Sequence, residues 1–168
     1  MRLRDGARAI VLDEADRILL VQFTFPDLSL WGTPGGGIDA GEGHEQAIIR
    51  ELMEETGLEG IELGPWVWSR THIFPSPDGR WDGQRDRFFL VRTRRFEPAP
   101  QFCAEELELE HVTAVRWWTQ AELAASQELF APRRLPELVT ELLRGGPAPR
   151  AARRRGLAIG LRDRPPLA

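Results

Sequence analysis

The sequence predicts a layered α/β domain. Three observations carry that expectation: strand-like and helix-like segments are interspersed along the chain, no internal repeat is present, and 168 residues suffice for one core of ordinary size but not two.

The elements follow in order. Residues 7–12 and 17–22 are rich in Ile, Leu and Val and predict two strands, with Asp13-Glu14-Ala15-Asp16 as their hairpin connection. Residues 26–37 predict a loop, because Pro and Gly deny it regular structure. From His44 to Thr56 the pattern turns helical, and Gly57 sits where a left-handed C-cap belongs. Strand signals return over residues 61–71 and 87–93, separated by the turn sequence Pro75-Ser76-Pro77-Asp78-Gly79. A short strand is predicted over residues 114–118, with Trp117 and Trp118 on its opposite faces. Thr119 and Glu122 form a capping-box signature that starts another helix, and a last one is predicted over residues 132–143.

Composition narrows the function classes. With 42% hydrophobic and 29% charged residues the chain is of globular type, and no apolar run approaches the roughly 18 residues of a membrane span. The expectation is a soluble protein with no membrane partner. Basic residues near the N-terminus are followed by an interrupted strand pattern rather than an apolar signal core, so secretion is not expected. The lone Cys103 excludes an intrachain disulfide framework and fits a reducing cytoplasm; its acidic surroundings argue against a catalytic thiol. Net charge is −4, unevenly spread. Residues 145–168 carry Arg150, Arg153, Arg154, Arg155, Arg162 and Arg164 against Asp163 alone, amid Pro, Gly and Ala. Such a tail is expected to be disordered, with nucleic-acid contact as the less favoured reading.

The helix over residues 44–56 poses a physical problem. At 100° per residue, Ile48, Ile49, Leu52 and Met53 share one arc, while Ala47, Glu51, Glu54 and Glu55 fall opposite. Glu51 repels Glu54 and Glu55 by about 0.2–0.5 kcal/mol per pair, at the helix end where the macrodipole already disfavours acids. A solvated acidic face leaves that cost unexplained. A hard divalent cation removes it, since Mg²⁺ takes oxygen ligands and is usually held together with a substrate's phosphates. Gly35-Gly36-Gly37 supplies the complement: a backbone free of side chains brings a carbonyl or amide close to a metal or a phosphate.

Gly36, five residues, Glu42, seven residues, Arg50-Glu51, Leu52, one residue, Glu54-Glu55, one residue, Gly57 and Leu58 reproduce the whole of the Nudix box. Chance gives such a match at about 10⁻⁸ to 10⁻⁹ per start position, so the chain closely resembles that family. The resemblance implies an α/β/α sandwich with a mixed sheet and a loop-helix-loop catalytic motif, in a Nudix domain over residues 1–144 with the tail outside it. It also implies an Mg²⁺-dependent hydrolase, with Mn²⁺ as substitute, that cleaves a nucleoside diphosphate linked to another group. By position, Glu51, Glu54 and Glu55 match the metal-binding glutamates, Gly35 the backbone carbonyl ligand, and Arg50 the arginine that orients Glu51. Gly36 and Gly37 complete the loop. Glu42 has two open readings, a further metal ligand or a residue that holds the loop.

The general base is also left open: Glu54 if it lies in the box, or one of Glu105, Glu106, Glu108 and Glu110 in a later acidic turn, with His72 and His111 as assistants or as packing residues. Six tryptophans are available to stack a base, most of them expected in the core. The absence of tyrosine tells against dinucleoside-polyphosphate hydrolases, and Pro75 only approximates the proline of ADP-ribose-cleaving members. Two substrate classes stand: a nucleotide sugar such as ADP-ribose, or a nucleoside triphosphate such as an oxidised purine nucleotide. The alternative of another class is an inactive Nudix-like ligand sensor, whose signature, a lost metal ligand, is absent. Oligomeric state is not legible.

Overall fold

The structure, a computed structural model, describes residues 1–145 apart from 75 and 77. The tail expectation therefore falls on residues outside those described, as do Pro75 and Pro77.

Strand β1 (Leu3–Leu12) is the spine of the molecule. It runs parallel to β6 (Gly83–Arg92) along its whole length, pairs antiparallel with β2 (Ile18–Phe25) at its C-terminal end, and pairs with the short β4 (Gly35–Gly37) at Gly6 to Arg8. Beyond them the sheet adds β5 (Trp66–Ile73) against β6, β3 (Leu28–Gly32) and β7 (Val112–Trp118) against β2, and β8 (Phe130–Ala131) parallel to β3. Among the described residues this is one mixed sheet of eight strands.

Helices cover both faces. Ala7, Ala9, Val11, Leu19 and Trp117 pack with Ile48 and Leu52 of α1 (His44–Thr56) on one side. Ile10, Leu12, Leu20, Phe88 and Trp118 pack on the other with Leu123 of α3 (Gln120–Ala125) and Leu135, Val139 and Leu142 of α4 (Leu135–Gly145). Strands buried on both faces read as continuous apolar runs, which is why residues 9–12 and 18–21 are uninterrupted Ala, Ile, Val and Leu, all fully buried. Each large aliphatic side chain so removed from water contributes about 1.5–3 kcal/mol. The α/β/α layering and the opposite faces of Trp117 and Trp118 agree with expectation.

Four expectations need correction. The supposed loop over residues 26–37 contains β3 and β4: Phe25 and Leu28 close a hairpin, and the three glycines pair with β1 through backbone alone, which leaves no side-chain signal. The acidic stretch after Cys103 is a short helix, α2 (Ala104–Leu109), rather than a turn, because the Glu106 carboxylate caps the Cys103 amide at 2.8 Å. The strand expected from residue 61 starts at Trp66, since Gly64 is already engaged by Leu90 in a loop-type bond. Finally, the buried stripe of α1 is Ala47, Ile48, Leu52, Glu55 and Thr56, while Ile49 and Met53 are 46% and 38% exposed. The stripe is turned toward β4, where a backbone donor awaits the acid.

Helix α1 ends as its sequence dictates. Gly57 adopts φ 76°, and its amide bonds to the carbonyls of Leu52 and Met53. A side chain there would also run into the Ala99 carbonyl, whereas the space around Gly60, at φ 64°, is open. Gly57→Ala is therefore expected to lower unfolding free energy by more than Gly60→Ala, whose cost is only the left-handed backbone, about 1–2 kcal/mol. Urea titration of the two variants measures the difference.

Candidate active site

The acidic side of the site is organised by one guanidinium. Arg50 donates through Nε and Nη2 to the two oxygens of Glu42, each at 2.9 Å, and through Nη1 to Glu51 at 2.8 Å and Glu54 at 3.3 Å; Nη2 also reaches the Gly37 carbonyl at 3.2 Å. A planar fork of five donors matches this ring of acceptors, which a lysine ammonium does not. The hydrogen bond from Arg50 holds Glu42 below the usual carboxylate range, and Glu42 in turn accepts from the Asp39 amide at 3.0 Å, tying down the loop. The repulsion at the end of α1 is thus already offset within the protein. The sequence argument that a metal alone supplies the compensation is corrected by this geometry.

Glu55 is the buried acid. It is 4% exposed, and its Oε2 accepts from the Gly35 amide at 2.8 Å. Burial, reinforced by the neighbouring Glu51 charge, pushes its pKa up to about 8. Burial also raises Glu51, against the pull of Arg50. Gly35 itself has φ 131°, a conformation that L side chains rarely adopt, and a Cβ there would strike the β1 backbone at Ala7 and Arg8. At position 36 the space belongs to another residue: the Glu51 carboxylate lies where a Cβ would be.

Through its carbonyl, Gly35 meets a basic group. The Gly35 carbonyl accepts a short hydrogen bond from Arg8 Nη1, and Arg8 also bonds through Nε to Asp86 at 3.4 Å. Asp86 is fully buried and receives Arg70 Nη2 at 3.0 Å and Gln84 Nε2 at 2.6 Å, with His72 Nε2 at 3.5 Å. Burial would raise its pKa, but Arg8, His72 and Arg70 outweigh that and hold it well below the carboxylate range. Composition and motif did not single out Arg8, Arg70, Gln84 or Asp86. Their available signal was position: they interrupt, at alternate residues, strand faces that continue as Ile10, Trp68 and Phe88.

Glu105, Glu106 and Glu108 lie exposed on α2, and Glu110 at its end, also exposed, acts electrostatically on Glu55. The segment is pinned there by the amides of Gln101 and Phe102 on the Glu54 carbonyl. His72 faces Asp86, and His111 stacks against Phe25 at a centroid distance of 4.7 Å. Four of the six tryptophans, Trp31, Trp68, Trp117 and Trp118, are buried in the core. Among the described residues no three acid, histidine or cysteine side chains converge as they would on a metal, since Arg50 stands between Glu42, Glu51 and Glu54.

The profile of the NUDIX domain matches residues 2–139. This chain belongs to the Nudix family. It is 52% identical over 76 residues to a Bacillus subtilis (strain 168) protein named "Putative 8-oxo-dGTP diphosphatase", a match covering 41% of this chain and 50% of that one, so it spans half the length of that relative. It is 30% identical over 141 residues to an RNA pyrophosphohydrolase of Sphingopyxis alaskensis, covering 77% of this chain and 84% of that one. Among solved structures, the NUDIX domain of Shewanella oneidensis NrtR complexed with ADP ribose superimposes with TM-score 0.62 at 24% identity, covering 85% and 90% of the two chains, which establishes the shared fold. The chain is accordingly a Nudix pyrophosphohydrolase, a hydrolase of phosphoric anhydrides. No helix among its described residues is long and apolar enough to cross a membrane.

Glu55 gives the Nudix domain a pH signature in chelated buffer. Below pH about 4.5 the residue is neutral whether the chain is folded or not; between there and about 8 the unfolded chain ionises while the folded one does not, so stability falls as pH rises. Glu55→Gln keeps an acceptor for the Gly35 amide and removes the titration. Its urea midpoint, followed from pH 5 to 8, is expected to decline less than that of the unmodified protein.

Proposed function

We propose that this Nudix domain is an Mg²⁺-dependent pyrophosphohydrolase, with Mn²⁺ as substitute, that acts on the triphosphate end of a nucleotide in the cytoplasm. The observation that carries the metal is the chemistry of the donor set: the Glu51 and Glu54 carboxylates are hard oxygens gathered by Arg50, Glu51 lies against Gly36, and the Gly35 carbonyl, now accepting from Arg8, would be the backbone ligand. When bound, the cation neutralises charge on the phosphates, polarises a P–O bond and lowers the pKa of the attacking water. Arg50 keeps Glu51 and Glu54 aligned before it arrives. Glu54, partly open to solvent and ionically paired at only one oxygen, is the proposed proton acceptor; Glu110, whose charge acts on Glu55, is the alternative.

Two relatives support the substrate class. The name of the Bacillus protein refers to an oxidised nucleoside triphosphate and that of the Sphingopyxis protein to RNA, and both share more identity with this chain than the ADP-ribose-bound NrtR domain does. An oxidised purine nucleoside triphosphate is therefore preferred over a nucleotide sugar. The free, exposed Cys103 fits a reducing compartment.

A substrate screen with Mg²⁺ and with Mn²⁺ tests this directly. Turnover of oxidised or canonical nucleoside triphosphates, or of 5′-triphosphate RNA, is expected at kcat/KM above about 10⁴ M⁻¹s⁻¹, with ADP-ribose at least tenfold poorer; the reverse order returns the reading to nucleotide sugars. Glu54→Gln is expected to cost activity at least about 10²-fold, since even the outer partners of metal ligands cost 10–100-fold. Its stability in chelated buffer should stay within about 0.5 kcal/mol, because the lost Arg50 pair and the relieved repulsion with Glu51 are of similar size.

A further inference from the structure

The acids of α1 leave unexplained the polar cluster on the opposite face of the sheet. Strands β5, β6 and β1 lie side by side, and in their register Asp86 is level with Arg70 on one neighbour and with Gly6 on the other. Gly6 leaves the space that Asp86 and Gln84 fill; a Cβ there would collide with both. Into this fully buried carboxylate run two guanidiniums, Arg8 at 3.4 Å and Arg70 at 3.0 Å.

One arginine would satisfy one carboxylate. Arg8 is in addition accounted for by its bond to Gly35 and its attraction to Glu55 and Glu51. Arg70 is the surplus: Asp86 is its only carboxylate partner among the described residues, and its Nε is buried without any hydrogen-bond partner. An unpaired donor on a buried cation is expensive, and folding alone would be better served by an apolar residue continuing the Phe88 and Trp68 surface. Both arginine side chains nevertheless remain 20% exposed, so an anion from solvent can reach them. On the α1 side of Gly35 the acids gather about Arg50, while on the other face of the sheet Arg8 of β1 and Arg70 of β5 gather about the single acid Asp86.

We propose that Arg8 and Arg70, oriented by Asp86, form a phosphate-binding subsite for the substrate's end phosphate, beside the Gly35 carbonyl and on the sheet face opposite α1. This rests on the triphosphate reading above and assigns the residues that would select for it. Asp86 and Gln84 are positioning residues. Arg8 and Arg70 touch the substrate.

The test uses inorganic pyrophosphate as the probe, titrated calorimetrically into the full chain in chelated buffer. Binding is expected to weaken at least tenfold in Arg70→Gln and to be unchanged in Arg94→Gln, an exposed arginine outside the cluster. Arg70→Lys keeps the charge facing Asp86 but loses the fork, and is expected to fold like the original and to bind at least threefold more weakly. In steady state Arg70→Gln should raise KM for a nucleoside triphosphate at least tenfold with kcat within about threefold. Pyrophosphate affinity unaltered in both Arg70 variants, or a fall in kcat alone, overturns the subsite. Loss of pyrophosphate binding on substitution, in a protein that hydrolyses no triphosphate, would keep the subsite while removing the proposed function.

Discussion

One glycine ties helix α1 to the sheet. The Gly35 amide donates to buried Glu55 of α1, and its carbonyl accepts from Arg8 of β1. Neither bond would form with an ordinary residue at that position, because the φ of 131° and the closeness of the β1 backbone leave no place for a Cβ. The helix is thereby fixed to the sheet through a polar contact at its acidic end and an apolar one through Ile48 and Leu52. Burial of Glu55 is the cost of that arrangement, and its raised pKa is how the cost is expressed.

The acids that looked misplaced for a helix are tolerable because the compensating charge is on the helix itself. Arg50 lies beside Glu51 in sequence and one turn before Glu54, so a single side chain gathers both and, by reaching back to Glu42, fixes the entering loop as well. Partial burial strengthens these pairs over exposed ones, which are worth about 0–1 kcal/mol. A chain that relied on the metal for this compensation would lose its loop whenever the metal left; this one keeps its acids in place.

Much of this was legible in the sequence, and the failures have a common cause. Helix α1 and its cap, the first hairpin, the capping box at Thr119 and the box acids all rest on local patterns. What was missed depends on residues distant in sequence. Strand β4 carries no side chains and exists only because Gly6 to Arg8 offer it a partner; β8 is two residues long and pairs with β3. Arg8 and Asp86 are 78 positions apart, and nothing local at either tells that they meet. The buried stripe of α1 was misjudged for the same reason. Hydrophobicity alone placed Met53 inside and Glu55 outside, whereas the donor at Gly35 inverted them.

The cluster of Arg8, Arg70 and Asp86 lies where one face of the sheet turns from apolar to polar. Along β1 the second face changes from Arg4, Gly6 and Arg8 to Ile10 and Leu12, and along β6 from Gln84 and Asp86 to Phe88 and Leu90. The apolar end is covered by α3 and α4, which supply Leu123, Leu135, Val139 and Leu142. An equally apolar surface at the other end would need a third helix to cover it, and would close off the edge of β4 where the box acids and the Gly35 carbonyl lie. Polar side chains leave that end without a covering helix and without exposed core, and under the proposed subsite Arg8 and Arg70 would draw an anion there. The proposed reactive edge is thus left uncovered by the same residues that would recognise what enters.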